Sequence, residues 1–151
     1  MPLVDAIFLR EDHALSDRQP EDAFLLKRVK EAGIELKKWI GTTNYAAALA
    51  ALEPNATPTD EELEKAEAFQ LAESALVMYF AIPRLNLKVS DQGLIQSANS
   101  KNFGDATFRV AAPTEIKQLQ KIYWNSAWKL ASAYISTGTG PLPVGSTTTD
   151  E

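Results

Sequence analysis

Apolar side chains recur every three or four residues in three long segments, which is the spacing of an amphipathic helix. These segments span residues 20–40, 59–80 and 113–136. In the first segment the apolar positions are Phe24, Leu25, Val29, Ala32, Leu36, Trp39 and Ile40. The pattern therefore predicts three helices, each with one face buried.

Residues at the segment ends support the same helices. Pro20 suits a first helical turn, where an N–H has no helical partner, and Gly41 can take the left-handed conformation that ends many helices. Thr59 and Glu62 have the spacing of a capping box, in which each side chain accepts a hydrogen bond from a backbone N–H of the other residue. Pro83 should end or kink the second helix, because proline interrupts helical hydrogen bonding.

Two shorter segments lie between the long helices. The alanine-rich residues 44–52 predict a short helix that packs closely between longer ones. In residues 85–112, Leu87 and Val89 alternate with polar residues, as in a strand. This insert is predicted to be a β-hairpin or a long loop with strand ends. Because a lone hairpin is marginal in water, we expect it to pair with, or lie on, another surface.

The two terminal segments predict arms. Residues 1–19 form the N-terminal arm, and the period of its apolar stretch, residues 3–9, fits either an extended segment or a first helical turn. Residues 137–151 are rich in Gly, Pro and Thr, with two charges at the end, and predict a flexible C-terminal arm. Within it, residues 141–144 form a small apolar group that either docks in a groove or belongs to a plain flexible terminus.

The predicted fold is mainly α: a small bundle of about four helices. The helical domain occupies residues 20–136, with the hairpin insert at residues 85–112. An extended C-terminal arm follows it.

Composition narrows the class of protein. The 151 residues fit one domain, and 45% hydrophobic with 23% charged residues is ordinary globular usage. The sequence has no cysteine, which excludes disulfides, thiolate nucleophiles and cysteine-ligated metals. The acidic first residues do not resemble a signal peptide, and no stretch approaches the roughly 20 apolar residues of a membrane span. The sequence therefore predicts a protein without membrane contact that is made in the cytoplasm.

Charge is unevenly distributed along the chain. Residues 53–73 contain seven acids and one lysine, whereas residues 84–129 contain seven bases and three acids. Such a molecule can attract a copy of itself head to tail. Solvated helix faces explain the same asymmetry equally well. The net charge of −5 makes general affinity for nucleic acid unfavourable.

A search for catalytic and metal-binding patterns gives almost nothing. His13 is the sole histidine, lies in an acidic stretch that is expected to be exposed, and has no nucleophile motif beside it. The acid-rich residues 61–67 are typical of a solvated helix start, and the Glu-x-x-His pattern of di-iron bundles is absent. We predict no cofactor, no metal and no enzymatic activity. A hydrolase using only Asp and Glu remains the enzymatic alternative.

Three groups of residues are candidate protein-interaction sites. The first is the hairpin, with Leu87, Val89, Leu94, Ile95, Phe103, Phe108, Arg109 and Val110. The second is the apolar group of the C-terminal arm, with Pro141, Leu142, Pro143 and Val144. The third is Trp124 and Trp128, four residues apart on a helix flank, where they could form an inter-subunit face. An internal wall of the same domain would satisfy both tryptophans equally well.

The order of these elements resembles the head–tail connector (adaptor) proteins of tailed bacteriophages. The resemblance rests on residues 64–69 leading into residues 76–83, on the insert at residues 94–100 and 104–110, and on the Trp- and Tyr-rich residues 116–135. It covers residues 20–135 as an order of elements rather than a motif.

The resemblance implies a structural subunit of the virion neck, assembled in the host cytoplasm. Such subunits form a homo-oligomeric ring, here of about twelve copies. The ring would join the portal protein to a downstream neck or tail protein, with DNA passing transiently through its channel. The hairpin would then be an interaction element and the C-terminal arm a portal-docking segment. The alternative function is a non-catalytic helical binding module of a bacterial or phage regulatory complex.

Overall fold

The computed structural model describes residues 2–13, 15, 21–85, 87–90, 93–96, 108–110 and 112–135, with backbone only for the strands. Within these ranges the chain forms five α-helices, a short 3-10 helix and three β-strands. The helices are α1 (Ala6–Asp12), α2 (Asp22–Ile40), α3 (Thr42–Ala51), α4 (Asp60–Ala81) and α5 (Pro113–Ser132), and the 3-10 helix is Ile82–Arg84. The strands are β1 (Leu87–Ser90), β2 (Gly93–Gln96) and β3 (Phe108–Val110). The prediction of a mainly helical protein is confirmed.

Helix α4 lies at the centre of the bundle, because α2, α3 and α5 all pack against it. Its central stretch, residues 72–78, is buried on all sides. Phe69 and Leu76 of α4 meet Leu25 and Leu36 of α2 in a single hydrophobic core. This arrangement explains why the apolar pattern of α4 is broader than one stripe.

The helix ends follow the local sequence signals. The Thr59 hydroxyl accepts a hydrogen bond from the Glu62 N–H at 3.1 Å, and the Thr59 N–H donates to the Glu62 carboxylate at 2.9 Å. The predicted capping box is therefore confirmed. Gly41 ends α2 with a φ of 87°, and its N–H donates to the Lys37 carbonyl at 2.9 Å. Pro83 lies in the 3-10 helix that follows α4.

The N-terminal segment packs on the helices. Leu3 and Val4 precede α1 in a non-helical conformation, Asp5 caps α1, and Leu9 of α1 is fully buried. Residues 2–13 of the predicted N-terminal arm thus contribute to the core, through a short non-helical piece and then a helix.

The three strands form a small antiparallel sheet in the order β2-β1-β3. Leu87 pairs with Gln96 between β1 and β2, and Lys88 pairs with Val110 between β1 and β3. The strand side chains and residues 97–107 lie outside the described part of the chain. The hairpin as a protein-interaction element therefore stays a prediction, as does the C-terminal arm, which also lies outside it.

Candidate functional site

The carboxylate of Glu73 is the most deeply buried charged group in the described residues. Its side chain sits in the middle of α4 with none of its surface exposed. One carboxylate oxygen accepts hydrogen bonds from the N–H groups of Leu3 (2.8 Å) and Val4 (3.1 Å). The other accepts a short hydrogen bond from the Tyr45 hydroxyl. Glu73 thus joins the N-terminal segment and α3 to the central helix.

Burial dominates the electrostatics of this group. It raises the pKa of Glu73, although hydrogen bonds from Tyr45, Leu3 and Val4 and the nearby charge of Lys37 act in the opposite direction. Burial and the hydrogen bond to Glu73 also raise the pKa of Tyr45 strongly. Tyr45 consequently keeps its proton and acts as the donor to the carboxylate.

A second polar cluster surrounds the next residue, Ser74, which is also fully buried. The Ser74 hydroxyl donates to the Asp12 carboxylate at 2.6 Å and lies 2.7 Å from Nε2 of His13. The His13 ring meets Tyr123 edge to face, with centroids 5.7 Å apart. Since the single serine proton goes to Asp12, Nε2 of His13 must carry the proton and donate to the Ser74 oxygen.

His13 is held in its neutral form. Burial lowers the pKa of His13, and the negative charge of Asp12 and a hydrogen bond to the Ser74 carbonyl only partly offset this effect. The expectation that His13 is exposed was wrong, because only 10% of its side-chain surface remains accessible. The stretch is acidic, but α1 turns its last residues towards α4.

The cluster has the residue types of a serine hydrolase triad but not the geometry. In a triad the histidine accepts the serine proton, and the carboxylate binds the other ring nitrogen. Here Asp12 takes the serine proton directly, and His13 donates to Ser74. Ser74 is also inaccessible to a substrate. Both clusters therefore hold the N-terminal segment and α1 on α4 through hydrogen bonds.

Sequence reasoning missed the structural roles of Glu73 and Ser74. Glu73 was counted within the acidic sector, yet it is buried, so it adds no charge to that surface. The sequence did contain a sign of this burial. Phe69, Glu73 and Leu76 have the spacing of one helix face, so the Glu73 carboxylate lies within an apolar stripe. A charged residue at such a position implies hydrogen-bond partners in the core.

The two tryptophans of α5 pack inside the domain. Trp124 and Trp128 both meet Trp39 of α2 edge to face, with ring centroids 5.0 and 5.6 Å apart. Trp124 also contacts Tyr79 of α4, at 4.8 Å. This packing corresponds to the internal wall that the sequence left open. Both rings keep some exposure, and their role at an inter-subunit face stays a prediction.

The other predicted site residues are placed only in part. Leu87, Val89, Leu94, Ile95, Phe108, Arg109 and Val110 lie in the three strands, where the backbone alone is described. Phe103 and the arm residues Pro141, Leu142, Pro143 and Val144 lie outside the described residues. The structure therefore brings the strand backbones together and does not test the interaction sites.

Four of the described helices carry exposed large apolar side chains: α1 and α5 carry one each, Ile7 and Ile122, whereas α2 and α4 carry two each. On α2, 46% of Leu26 and 60% of Ile34 are exposed, and on α4, 37% of Leu63 and 39% of Leu71. A groove of about 460 Å³ adjoins the α2 face. It is lined by Pro2, Leu26, Val29, Lys30, Gly33, Ile34, Lys37 and Tyr45. Sequence analysis did not predict that these faces are binding surfaces.

Charge distinguishes the two outer faces. Around Leu26 and Ile34, the exposed charged side chains are Lys27, Lys30, Lys37 and Lys38, together with Asp22, whose carboxylate pairs with Arg10 at 2.6 Å. Around Leu63 and Leu71 they are Asp60, Glu61, Glu62, Glu64 and Glu67. Apolar side chains next to charges of mainly one sign suit a protein surface of opposite charge.

Searches of the described residues for other kinds of site were negative. No group of three or more potential metal ligands occurs there. In the same ranges, no helix has both the length and the apolar character required to cross a membrane. Comparisons of the chain with protein-family models, with curated proteins and with solved structures found no match.

Proposed function

We propose that this chain is a non-catalytic assembly subunit, which works by binding other protein surfaces. The observation that carries the proposal is the pair of outer helix faces. One face combines Leu26 and Ile34 with lysines, and the other combines Leu63 and Leu71 with acids. When a partner covers such side chains, the free energy falls by about 25 cal/mol for each Å² of apolar surface that is removed from water.

The buried polar clusters are consistent with a scaffold rather than an enzyme. The carboxylate of Glu73 and the hydroxyl of Ser74 have their hydrogen-bond partners inside the protein. Neither group opens to a cavity where a substrate could reach it, since both residues are fully buried. Their effect is to fix the N-terminal segment and to make the helical body rigid.

The more specific form of the proposal is a head–tail connector of a tailed bacteriophage. It is supported by the order of elements from α2 onwards: helices α2 and α3, the capped central helix α4, an insert at residues 85–112 and the closing amphipathic helix α5. The chain would form a ring of about twelve copies beneath the portal protein, and a neck or tail protein would bind its other side. DNA would pass through the channel, and the protein would be part of the virion neck.

In that role the insert and the C-terminal arm make the contacts that the helical body does not. Ordering an arm of 15 residues costs roughly 1–2 kcal/mol per residue in backbone entropy. Docking on a portal protein therefore needs an extended groove that also satisfies the backbone of the arm.

The test uses the full chain, a chain truncated after Ser136, and the portal protein of a tailed phage as the probe. Co-sedimentation should show that the full chain binds the portal. The truncated chain should keep its helical circular dichroism and its unfolding midpoint but lose binding. A full chain that does not bind portal proteins contradicts the connector proposal. Equal binding by both chains contradicts the arm's docking role.

The second candidate is a helical binding module of a regulatory complex. It is favoured by the lysine-flanked groove along α2, whose volume of about 460 Å³ lies within the usual range of small-ligand pockets. Such a module would stay monomeric or dimeric and would bind an acidic peptide or protein partner in that groove.

A further inference from the structure

The exposed side chains of α2 and α4 form two rows with the same spacing. On α2 the row is Leu26, Lys30 and Ile34, which we call the basic row. On α4 it is Leu63, Glu67 and Leu71, which we call the acidic row. In each row the residues are four apart, so they follow one ridge of the helix surface. Each row therefore presents two apolar side chains with one charge between them.

The central charges of the rows are opposite and accessible. Lys30 and Glu67 are both exposed, and within the described residues neither takes part in an ion pair. Neighbouring charges strengthen each sign, with Lys27 and Lys37 beside the basic row and Asp60 and Glu64 beside the acidic row. Asp22, the next residue of the ridge before Leu26, pairs with Arg10. The acidic row therefore suits the basic row, whereas two copies of the same row repel each other.

The rows cannot meet within one copy. Helices α2 and α4 pack together through their buried faces, including Leu36 and Leu76, while both rows face solvent. A second copy is required to bring the basic row onto an acidic row. Ridges of this spacing interlock when helices cross at about 50°, which is the commonest helix-packing geometry.

We propose that the basic row of one copy docks on the acidic row of the next copy, so that the chain assembles head to tail. This inference rests on the proposed function, because it names the surfaces through which the subunit would self-assemble. Leu26 and Ile34 pack beside Leu63 and Leu71, and Lys30 pairs with Glu67. Since every copy carries both rows, each bound copy leaves one row of each kind available. Such a contact produces a ring if its rotation closes and a filament if it does not.

Charge exchange between the rows tests this pairing. Lys30→Glu sets two carboxylates against each other in every contact, and Glu67→Lys sets two ammonium groups against each other. Each single variant should raise the dissociation constant of self-association by about tenfold or more. The double variant K30E/E67K restores opposite charges and should assemble nearly as well as the wild type.

Mixing the two single variants gives the sharpest result. In one kind of mixed contact, the carboxylate that K30E introduces meets the ammonium group that E67K introduces. In the other kind, the unchanged Lys30 of the E67K variant meets the unchanged Glu67 of the K30E variant. Every contact in an alternating assembly is therefore attractive, and an equimolar mixture should assemble at concentrations at which each variant alone does not.

The matched controls for these charge changes are Glu11→Lys and Lys121→Glu. Both substitutions reverse exposed charges on helices that carry neither row, α1 and α5. They should leave assembly unchanged.

Light scattering after size exclusion and analytical ultracentrifugation supply the masses, and circular dichroism verifies that each variant is folded. Assembly of the wild type that is unaffected by K30E and by E67K overturns the row pairing but leaves the proposed function standing. Loss in the single variants without recovery in the mixture or the double variant also overturns it. A wild-type chain that stays monomeric overturns the pairing, and the portal-binding experiment then decides the proposed function separately.

Discussion

At the scale of single residues, Glu73 and Ser74 decide how the N-terminal segment is held. They are adjacent, fully buried polar residues in the central helix, and both bind the segment that precedes α2. Removing a buried partner leaves donors or acceptors unsatisfied, which costs more than the hydrogen bond itself contributes. The stability of residues 2–13 on the bundle should therefore depend on these two side chains.

Two substitutions of Glu73 measure separately the free-energy cost of burying its charge and the stabilisation that its hydrogen bonds provide. Glu73→Ala leaves the N–H groups of Leu3 and Val4 and the Tyr45 hydroxyl without an acceptor, so the free energy of unfolding should fall by about 3 kcal/mol. Glu73→Gln keeps an oxygen for both N–H groups without a charge and should be as stable as the wild type at pH 7. Urea unfolding followed by tryptophan fluorescence measures both values. A Glu73→Gln variant as unstable as Glu73→Ala would contradict this account of the site.

The raised pKa of Glu73 also predicts a pH dependence. Because folding favours the protonated form, the stabilisation is complete below the unfolded value of 4.5 and is lost as pH rises through the folded pKa. Glu73→Gln should remove this loss. Comparing the free energies of unfolding of the two proteins from pH 4 upwards supplies the measurement. Identical slopes in wild type and variant would show that Glu73 titrates normally.

The contribution of His13 to the stability of the fold should change with pH in the direction opposite to that of Glu73. Its pKa is lowered from 6.5, so its contribution is present above pH 6.5 and is lost as pH falls through the folded pKa. The ring faces Asp12, Ser74 and Tyr123, and its protonation would place a second donor in this cluster. His13→Asn should flatten the decline of stability below pH 6.5. An unchanged decline would mean that other groups cause it.

At the scale of elements, the helix ends are where the sequence was most informative. The signals there act over four or five residues, so neighbouring helices do not alter them. Thr59 and Glu62 form the expected capping box. Helix α4 ends at Ala81, and the 3-10 helix that follows it contains Pro83. At Gly41 the expected positive φ occurs, but the ψ of 156° places the residue outside the left-handed helical region, in a region that is essentially restricted to glycine.

Gly41→Ala should destabilise the α2–α3 connection. A φ of 87° strains any residue with a Cβ, at a cost of about 1–2 kcal/mol. The space around Gly41 is open, so no clash adds to this strain. Thermal and urea unfolding of the variant measure the cost. An alanine variant as stable as the wild type would be inconsistent with this backbone conformation.

Thr59→Ala should lower the free energy of unfolding by about 1 kcal/mol, because the Glu62 N–H loses its acceptor. Thr57→Ala, two residues earlier at an exposed position outside the helix, is the matched control and should have little effect. Equal effects of the two substitutions would show that the capping box does not stabilise α4.

What could not be predicted from the sequence depended on contacts between distant elements. Glu73 looked like one more acid of a charged helix, because its partners at residues 3, 4 and 45 are remote in sequence. The packing of Trp124 and Trp128 on Trp39 was equally hidden, since spacing on α5 alone cannot distinguish an inner wall from an outer face. Helix periodicity predicts which face of each helix is buried, but it does not predict which other helix packs against that face.

At the scale of the whole molecule, the described helices carry a mainly basic outer face on α2 and an acidic outer face on α4. Charge asymmetry along the sequence suggested head-to-tail attraction, but it placed the basic sector at residues 84–129 rather than on α2. The pairing that we propose uses α2 instead, because the lysines of α2 accompany exposed apolar side chains. Complementary faces on one molecule favour an assembly of many copies over a closed two-fold dimer.

The most direct test of the central claim is the mass of the full chain in solution, measured by light scattering over a wide range of protein concentration. The account predicts that the mass rises with concentration from the 16.6 kDa of one chain towards a defined assembly of about a dozen copies. A mass that stays at one chain throughout that range, both alone and mixed with a portal protein, would contradict the claim that this protein is an assembly subunit.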